Sequence, residues 1–346
     1  MKIIVISDFL EGGGAEKFCR LSHEQFRKQG YESTLVCIRG HSQATRKSHE
    51  GIKFLNKSNL RNSAIILTIL LIKKRPDIIL TSIYHINLFI LILKLFGLLK
   101  NTKFILRHSN NIFERIKLFR FRSMRYFYAA LIKRAATTIV SQSNSLREDM
   151  ILGGLTAENH IVVPNIIDGE LSFERIPGSY CVFVGRFEPI KNLLELAKCF
   201  DSINQFPKLV MIGDGSEKKK LQQHIKKYGL NIEIQGWSKN AITKIQKAKF
   251  LLITSLSEGS PNVVLESLQV NTPVISSDNS QLVRDLCDLG YCNVFKGFNH
   301  QDITKGIAQF IETNDCAVFS TPQEQTLFMK QFNPKTICDQ LLLSVG

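Results

Sequence analysis

The alternation of short apolar runs with helical stretches limits the folding options of this chain more than any other feature. Strands are expected at 2–7, 33–38, 77–82, 103–107, 137–141 and 161–164, with one helix from a glycine-rich turn to about residue 29 and another at 143–152. Past residues 166–179 the pattern restarts, with strands at 180–184, 208–212, 232–235, 250–254 and 273–276 and helices at 192–203 and 216–228. A strand followed by a helix and another strand pairs in parallel, and helices then cover both faces of the sheet. Two such runs joined near 166–178 predict two doubly wound, Rossmann-like α/β domains facing across a cleft, with ligands at the carboxyl ends of the strands. The expected domains are 1–168 and 176–330, and a C-terminal helix at 334–346 is placed to pack back on the first.

A length of 346 residues suits two domains that each bury a core. The eight cysteines, at 19, 37, 181, 199, 287, 292, 316 and 338, form no CxxC pair and do not cluster with histidines. They read as buried thiols rather than as a zinc site or a disulfide framework. The opening MKIIVISDFLEGGGAEK has no secretory h-region followed by a small-residue cleavage site. The most lipid-like run, NLFILILKLFGLL at 87–99, is too short to span a bilayer and carries Lys94. Charge is unevenly placed: residues 1–175 hold 27 Lys and Arg against 14 Asp and Glu, and residues 176–346 hold 18 against 16. An excess confined to one half points to an anionic partner for it, whether nucleic acid, a phospholipid surface or a pyrophosphate-bearing substrate. None of the usual nucleic-acid motifs is present, so nucleic acid is not the expected partner.

Four strand-end segments carry residues suited to an anionic, hydroxyl-rich ligand. In EGGGAEK (11–17), Gly13 and Gly14 let backbone approach a ligand at a helix N-terminus, where free N–H groups attract anions. This is not a GxGxxG fingerprint, which disfavours a dinucleotide cofactor; a tight turn is the competing reading. In GRFEPIK (185–191), Gly185 is followed by Arg186 and Lys191 flanking a loop into a helix, a forked donor and a point charge able to clamp a diphosphate. Two solvated cations are the plainer reading there. MIGDGS (211–216) supplies Gly213, Asp214 and Gly215, which alone mark a turn. SEGSPNVVLES (257–267) sets Glu258 before a helix and Glu266 in its second turn, with Ser260 as expected N-cap and Pro261 as first helical residue. Eight residues at helical rise span about 12 Å. That length puts one carboxylate at each end of a nucleotide sugar, with the helix N-terminus facing its diphosphate. Carboxylates accept hydroxyl hydrogen bonds, as sugar and ribose rings require; two surface acids near a helix start are the bland alternative.

Together, GGGAEK, VSQSNSLREDM (140–150), VVPNIID (162–168), FVGRFEPIKN (183–192), MIGDGSEKKKL (211–221) and SLSEGSPNVVLESLQVNTPVISSD (255–278) make the chain resemble the family-4 glycosyltransferases of GT-B fold from end to end. The last segment contains the E-x7-E signature. The resemblance implies a retaining, metal-independent sugar transfer from a nucleotide sugar, with no cofactor. It places Glu258 beside the anomeric carbon of the donor sugar and Glu266 on the ribose hydroxyls. Backbone amides of Gly259, Ser260 and Asn262 would contact sugar hydroxyls or phosphate, with Pro261 and Val263 in the same donor segment. Arg186 and Lys191 would neutralise the leaving diphosphate in place of a metal, and the chain has no D-x-D pair. Such families place a histidine at the end of the fifth strand: His108 ranks first, with Arg107 and Asn110 beside it on the acceptor side, and His85 in SIYHINLF competes. Ile166 stands where the family has glycine, so 164–168 is read as linker rather than site.

The segment FERIKLFRFRSMRYFYAALIKRA (113–135) interleaves Arg115, Lys117, Arg120, Arg122, Arg125, Lys133 and Arg134 with Phe119, Phe121, Tyr126 and Phe127. No acid follows Glu114 until Glu148. Such a segment reads as a basic amphipathic helix on an anionic membrane surface, against the alternative of a core helix with a solvated basic face. The expected protein is a cytoplasmic glycosyltransferase, peripheral on the inner face of the cell membrane. It would move a hexose or N-acetylhexosamine from a nucleotide sugar, UDP before GDP, to a polyprenyl-pyrophosphate-linked saccharide. The pathway would be assembly of a surface polysaccharide such as capsule, exopolysaccharide or lipopolysaccharide O-antigen. The alternatives are an NAD-dependent nucleotide-sugar oxidoreductase or epimerase, and a non-catalytic sugar-binding protein of transferase fold.

Overall fold

The computed structural model describes the chain apart from residues 11–12, 41–49, 109–121, 156, 158, 176–177, 201–205, 239 and 314–317. The chain divides into two compact units, Met1–Asp168 with Gln331–Gly346, and Gly169–Lys330.

In chain order the first unit contains β1 (Lys2–Ser7), α1 (Gly14–Lys28), β2 (Glu32–Cys37), β3 (Ile52–Phe54), α2 (Leu60–Lys74), β4 (Ile78–Thr81), α3 (Tyr84–Leu95), β5 (Lys103–His108), α4 (Arg122–Ala135), β6 (Thr138–Ser141), α5 (Asn144–Leu152) and β7 (Asn159–Val162). The strands form one parallel sheet in the order β3-β2-β1-β4-β5-β6-β7, so the chain reverses direction of travel between β1 and β4. Alternate residues of a strand point to opposite faces, and both faces here are apolar. Ile4, Ile6, Ile79 and Leu106 meet Leu67 and Leu71 of α2, Ile86 and Ile90 of α3 and Ile132 of α4. Ile3, Val5, Leu80 and Ile105 meet Phe18, Leu21 and Phe26 of α1. The latter face also takes Ile337, Cys338 and Leu341 from the last helix, which returns to this unit. Gln29 Nε2 donates to Asp339 Oδ1 at 2.6 Å, and Thr138 Oγ1 donates to the Ser344 carbonyl at 2.8 Å.

The second unit runs β8 (Tyr180–Val184), a 3₁₀ turn (Pro189–Lys191), α6 (Leu193–Cys199), β9 (Lys208–Ile212), α7 (Lys218–Tyr228), β10 (Ile232–Gln235), α8 (Ala241–Gln246), β11 (Leu251–Ile253), α9 (Asn262–Gln269), β12 (Val274–Ser277), α10 (Gln281–Asp288), β13 (Asn293–Phe295), α11 (His300–Thr313) and α12 (Pro322–Met329). Its parallel sheet has the order β10-β9-β8-β11-β12-β13, with the reversal between β8 and β11. The chain then enters α13 (Pro334–Leu343) of the first unit. Among the described residues no helix is long and apolar enough to cross a membrane.

Two sequence expectations change. Residues 164–167 are not a linker: Asn165, Ile166 and Ile167 are buried, and Ile167 N donates to the Phe332 carbonyl at 2.9 Å. Ile166 is part of the first unit's core. The helix after SEGSP begins at Asn262, not at Pro261, because Pro261 has an extended ψ of 107° and serves as the cap itself.

Candidate active site

Three strand-end loops of the second unit are tied together by backbone hydrogen bonds. Gly185 N donates to the Ile212 carbonyl at 3.0 Å, Phe187 N to Asp214 at 2.9 Å, and Leu256 N to Ile190 at 2.8 Å. Glycine is required where the first two meet. A Cβ at Gly213, which has φ of +153°, would stand 1.9 Å from the Gly185 carbonyl oxygen, and one at Gly215 would stand 2.5 Å from that of Phe187. Gly213 and Gly215 thus serve a close backbone approach. Asp214 is engaged locally: its carboxylate accepts from Gly215 N at 2.8 Å and pairs with Lys218 at 2.6 Å. The Lys218 hydrogen bond, then that of Gly215, holds its carboxyl below the usual range. Glu188, not singled out from the sequence, links the same loops by accepting from Ser216 Oγ at 2.7 Å.

Arg186 is exposed. Lys191 is not free: its Nζ forms an ion pair with Glu258 Oε1, and the two side chains are only 18% and 17% exposed. Ser255 Oγ donates to the same carboxylate oxygen at 2.7 Å. The loop carrying Glu258 is braced from behind, where Glu258 N donates to the Asn279 carbonyl at 2.9 Å and Thr254 Oγ1 to the Lys191 carbonyl at 3.0 Å. The sequence assigned Lys191 and Glu258 to different parts of a ligand; the fold makes them one charge-compensated pair. Gly259 and Ser260 lead to the Pro261 cap, Asn262 and Val263 occupy the first turn of α9, and Glu266 lies in the second, partly buried.

In the first unit, Gly13 caps α1 and Gly14 begins it. The two candidate histidines differ. His108 is buried on β5, edge-on to Tyr128 at 6.2 Å, and burial, with help from His160 and Arg107, pushes its pKa down to about 3. His85, at the start of α3, is 47% exposed and its Nε2 lies 3.5 Å from Asp8 Oδ2. Arg39 approaches the same oxygen at 3.9 Å and covers the Phe9 ring at 4.9 Å. The His85 hydrogen bond and the two neighbouring charges hold the Asp8 carboxyl below its usual value, while burial opposes them. This Asp8–His85–Arg39 group comes from the ends of three elements, and spacing in sequence gives no sign of it.

Arg107 requires a correction. It is 0% exposed, with its guanidinium donating to Ser82 Oγ at 3.0 Å and to Asn165 Oδ1, and stacked 4.0 Å over the Phe18 ring. Burial lowers its pKa to about 10, which leaves it cationic at neutral pH. A side chain enclosed in this way cannot face an acceptor or a membrane. Asn110, Arg115, Lys117 and Arg120 lie outside the described residues, and so do the side chains of Arg122 and Arg125, whose backbone begins α4.

Residues 12–171 match the family described as Glycosyltransferase Family 4, and residues 177–325 match Glycosyl transferases group 1. An uncharacterised glycosyltransferase of Methanocaldococcus jannaschii is 30% identical over 232 residues, which are 59% of this chain and 56% of that protein. A Campylobacter jejuni alpha-1,4-N-acetyl-D-galactosaminyltransferase, whose name gives a PP-undecaprenol-linked saccharide, is 28% identical over 193 residues, 54% of this chain and 52% of that one. The chain thus spans about half the length of these curated relatives. Among solved structures, Anabaena HepE in complex with UDP and glucose aligns over 100% of this chain and 99% of its own, with a TM-score of 0.81 at 16% identity. The shared fold is the GT-B class, two Rossmann-like units.

Proposed function

We propose, on the premise that the chain belongs to the family-4 glycosyltransferases, that it moves a hexose or N-acetylhexosamine from a UDP-sugar to a lipid-linked saccharide in surface polysaccharide assembly. The observation that carries this reading is the Lys191–Glu258 pair, held before a helix whose second turn brings Glu266. A UDP-sugar entering here offers Lys191 a diphosphate in exchange for the Glu258 carboxylate. Glu258 is then released to accept from sugar hydroxyls while Glu266 accepts from the ribose. Arg186 and Lys191 stabilise charge as it develops on the leaving diphosphate, with no metal in the reaction. The bond from C1 to the diphosphate oxygen breaks, the acceptor oxygen bonds C1 on the same face, and the departing phosphate takes the acceptor's proton. The products are UDP and a glycoside of retained configuration.

The UDP and glucose bound to HepE support the choice of nucleotide, and the name of the C. jejuni relative supports a polyprenyl-linked acceptor. The basic stretch 113–135 supports attachment to the inner face of the cell membrane. The test is calorimetry with UDP and GDP, followed by transfer of labelled sugar from UDP-sugars to polyprenyl-diphosphate-linked saccharides with EDTA present. UDP should bind, label should move, and the product should keep the donor's anomeric configuration. Failure of both nucleotides to bind, or activity lost in EDTA and regained with magnesium or manganese, would overturn the assignment.

A further inference from the structure

The segments that follow β1, β2 and β3 enclose a depression of about 420 Å³, lined by Phe9, Arg39, Gly40, Asn56, Lys57 and Ser58. We propose that it seats a sugar residue bearing one carboxylate, the acidic unit of an acceptor saccharide. The transferase reading enters only in calling that sugar part of the acceptor. The volume lies in the range of small-molecule pockets, about 300–1,000 Å³. Parallel sheets take their ligands at the carboxyl ends of the strands, where this depression lies. Its walls are tied together by backbone: Arg39 N donates to the Asp8 carbonyl at 2.9 Å, and Lys57 N to that of Ile38 at 3.0 Å.

The lining offers donors that are already held in place. Arg39 lies over the Phe9 ring at 4.9 Å and approaches Asp8 Oδ2 at 3.9 Å, yet its side chain stays 40% exposed. A guanidinium fixed in this way presents a fork that matches a carboxylate. Half-buried Lys57 adds a second cation, and no ion pair engages it among the described residues. Ser58 Oγ accepts from Asn62 Nδ2 at 2.8 Å, which leaves its O–H to donate. Asn56 brings an amide to the same wall from the left-handed region, at φ of +52°, where asparagine is better tolerated than most residues. Charge then chooses among anions. Asp8 is buried, and its His85 hydrogen bond, aided by Arg39, keeps the carboxyl ionised against the effect of burial. Two cations against this one carboxylate leave a single positive charge. One further carboxylate completes the balance, with sugar hydroxyls left to Asn56 and Ser58. A diphosphate carries more charge than this and would leave part of it uncompensated beside a buried acid. A neutral sugar would leave the surplus cation without a partner.

The probes are methyl glucuronide, methyl glucoside and inorganic pyrophosphate, read by saturation-transfer NMR on the full chain. The glucuronide should bind, the glucoside should bind about tenfold more weakly, and pyrophosphate should displace the glucuronide poorly. Lys57→Met should lower glucuronide affinity about tenfold, and Lys57→Arg, which keeps the charge, should retain it. Equal binding of the two methyl glycosides, or a Lys57→Met chain that holds the glucuronide as wild type does, would overturn the proposal. So would pyrophosphate binding ahead of the glucuronide, since the depression would then take the diphosphate of the carrier. Glucuronide binding by a chain that binds neither UDP nor GDP would sustain this site while removing the proposed reaction. UDP binding and sugar transfer without any preference for the glucuronide would remove this inference alone.

Discussion

Two arginines at strand ends show how differently the two units use charge. Arg107, at the end of β5, is sealed in the first unit against Phe18, Ser82 and Asn165. Arg186, after β8, is exposed at the edge of the second unit's loops. The first unit also encloses His23, whose pKa falls to about 4, and His108, at about 3, both mainly through burial; half-buried His160 falls to about 4. The second unit buries neither His224 nor His300, and its strand-end loops carry the Lys191–Glu258 and Lys218–Asp214 pairs. Net charge therefore does not locate a site. The strongly basic half holds Arg107 inside as structure, and the nearly balanced half sets the Lys191–Glu258 pair at its strand-end loops.

Acid should break the comparison most visibly. A histidine held neutral in the folded state takes up a proton on unfolding once the pH is below about 6.5. The unfolded chain then binds more protons, and stability falls as pH falls. The loss develops from about pH 6.5 and is complete below the folded values of about 4 for His23 and about 3 for His108. At 1.36 kcal/mol per unit, the buried pair removes on the order of 5 kcal/mol by pH 4. Far-UV circular dichroism, which sees both units, should decay at higher pH than fluorescence of Trp237, which lies in the second. Coincident transitions would show that the units share one acid limit.

The next effect in size is Arg107→Ala. It leaves a void and strips partners from buried Ser82 and Asn165, at a cost of about 3 kcal/mol. Arg107→Met keeps volume and removes the buried cation, so thermal denaturation should find it well above the alanine variant. Arg186→Ala should change stability by less than about 0.5 kcal/mol. A melting temperature for Arg107→Ala close to wild type would mean that the guanidinium is only tolerated, not structural.

The sheets were legible because their strands are short apolar runs buried on both faces, a pattern that survives without any tertiary knowledge. Strands β3 and β13 are mostly not buried, so they lack the continuous apolar run that marks the equally short β11. The strand-end segments of the second unit could be singled out because each is contiguous in sequence. What could not be read is where side chains turn. Lys191 and Glu258 are 67 residues apart, and Asp8, Arg39 and His85 meet only after β1, β2 and α3 are aligned. Arg107 did leave a signal: an arginine inside the strand FILRH, expected to be buried on both faces, has nowhere to point but inward. The exposure of Ile65 and Ile69 on α2 was invisible, since an all-apolar helix reads as core.

The smallest of these effects asks whether the paired loops work as the exposed half of the comparison implies. Lys191→Ala should weaken UDP binding about tenfold, or 1.4 kcal/mol, because it removes a cation from the diphosphate and leaves Glu258 to repel it. Glu258→Gln removes the competitor for the same ammonium, so UDP should bind at least as well as to wild type while sugar transfer collapses. Glu266→Gln should weaken UDP and UDP-sugar equally, since its partner is common to both. Calorimetry with UDP alone separates the three. If Glu258→Gln loses UDP as badly as Lys191→Ala, the pair is a fixed structural bridge like the Arg107 cluster, and the second unit's ionic groups are no more available to a ligand than those of the first.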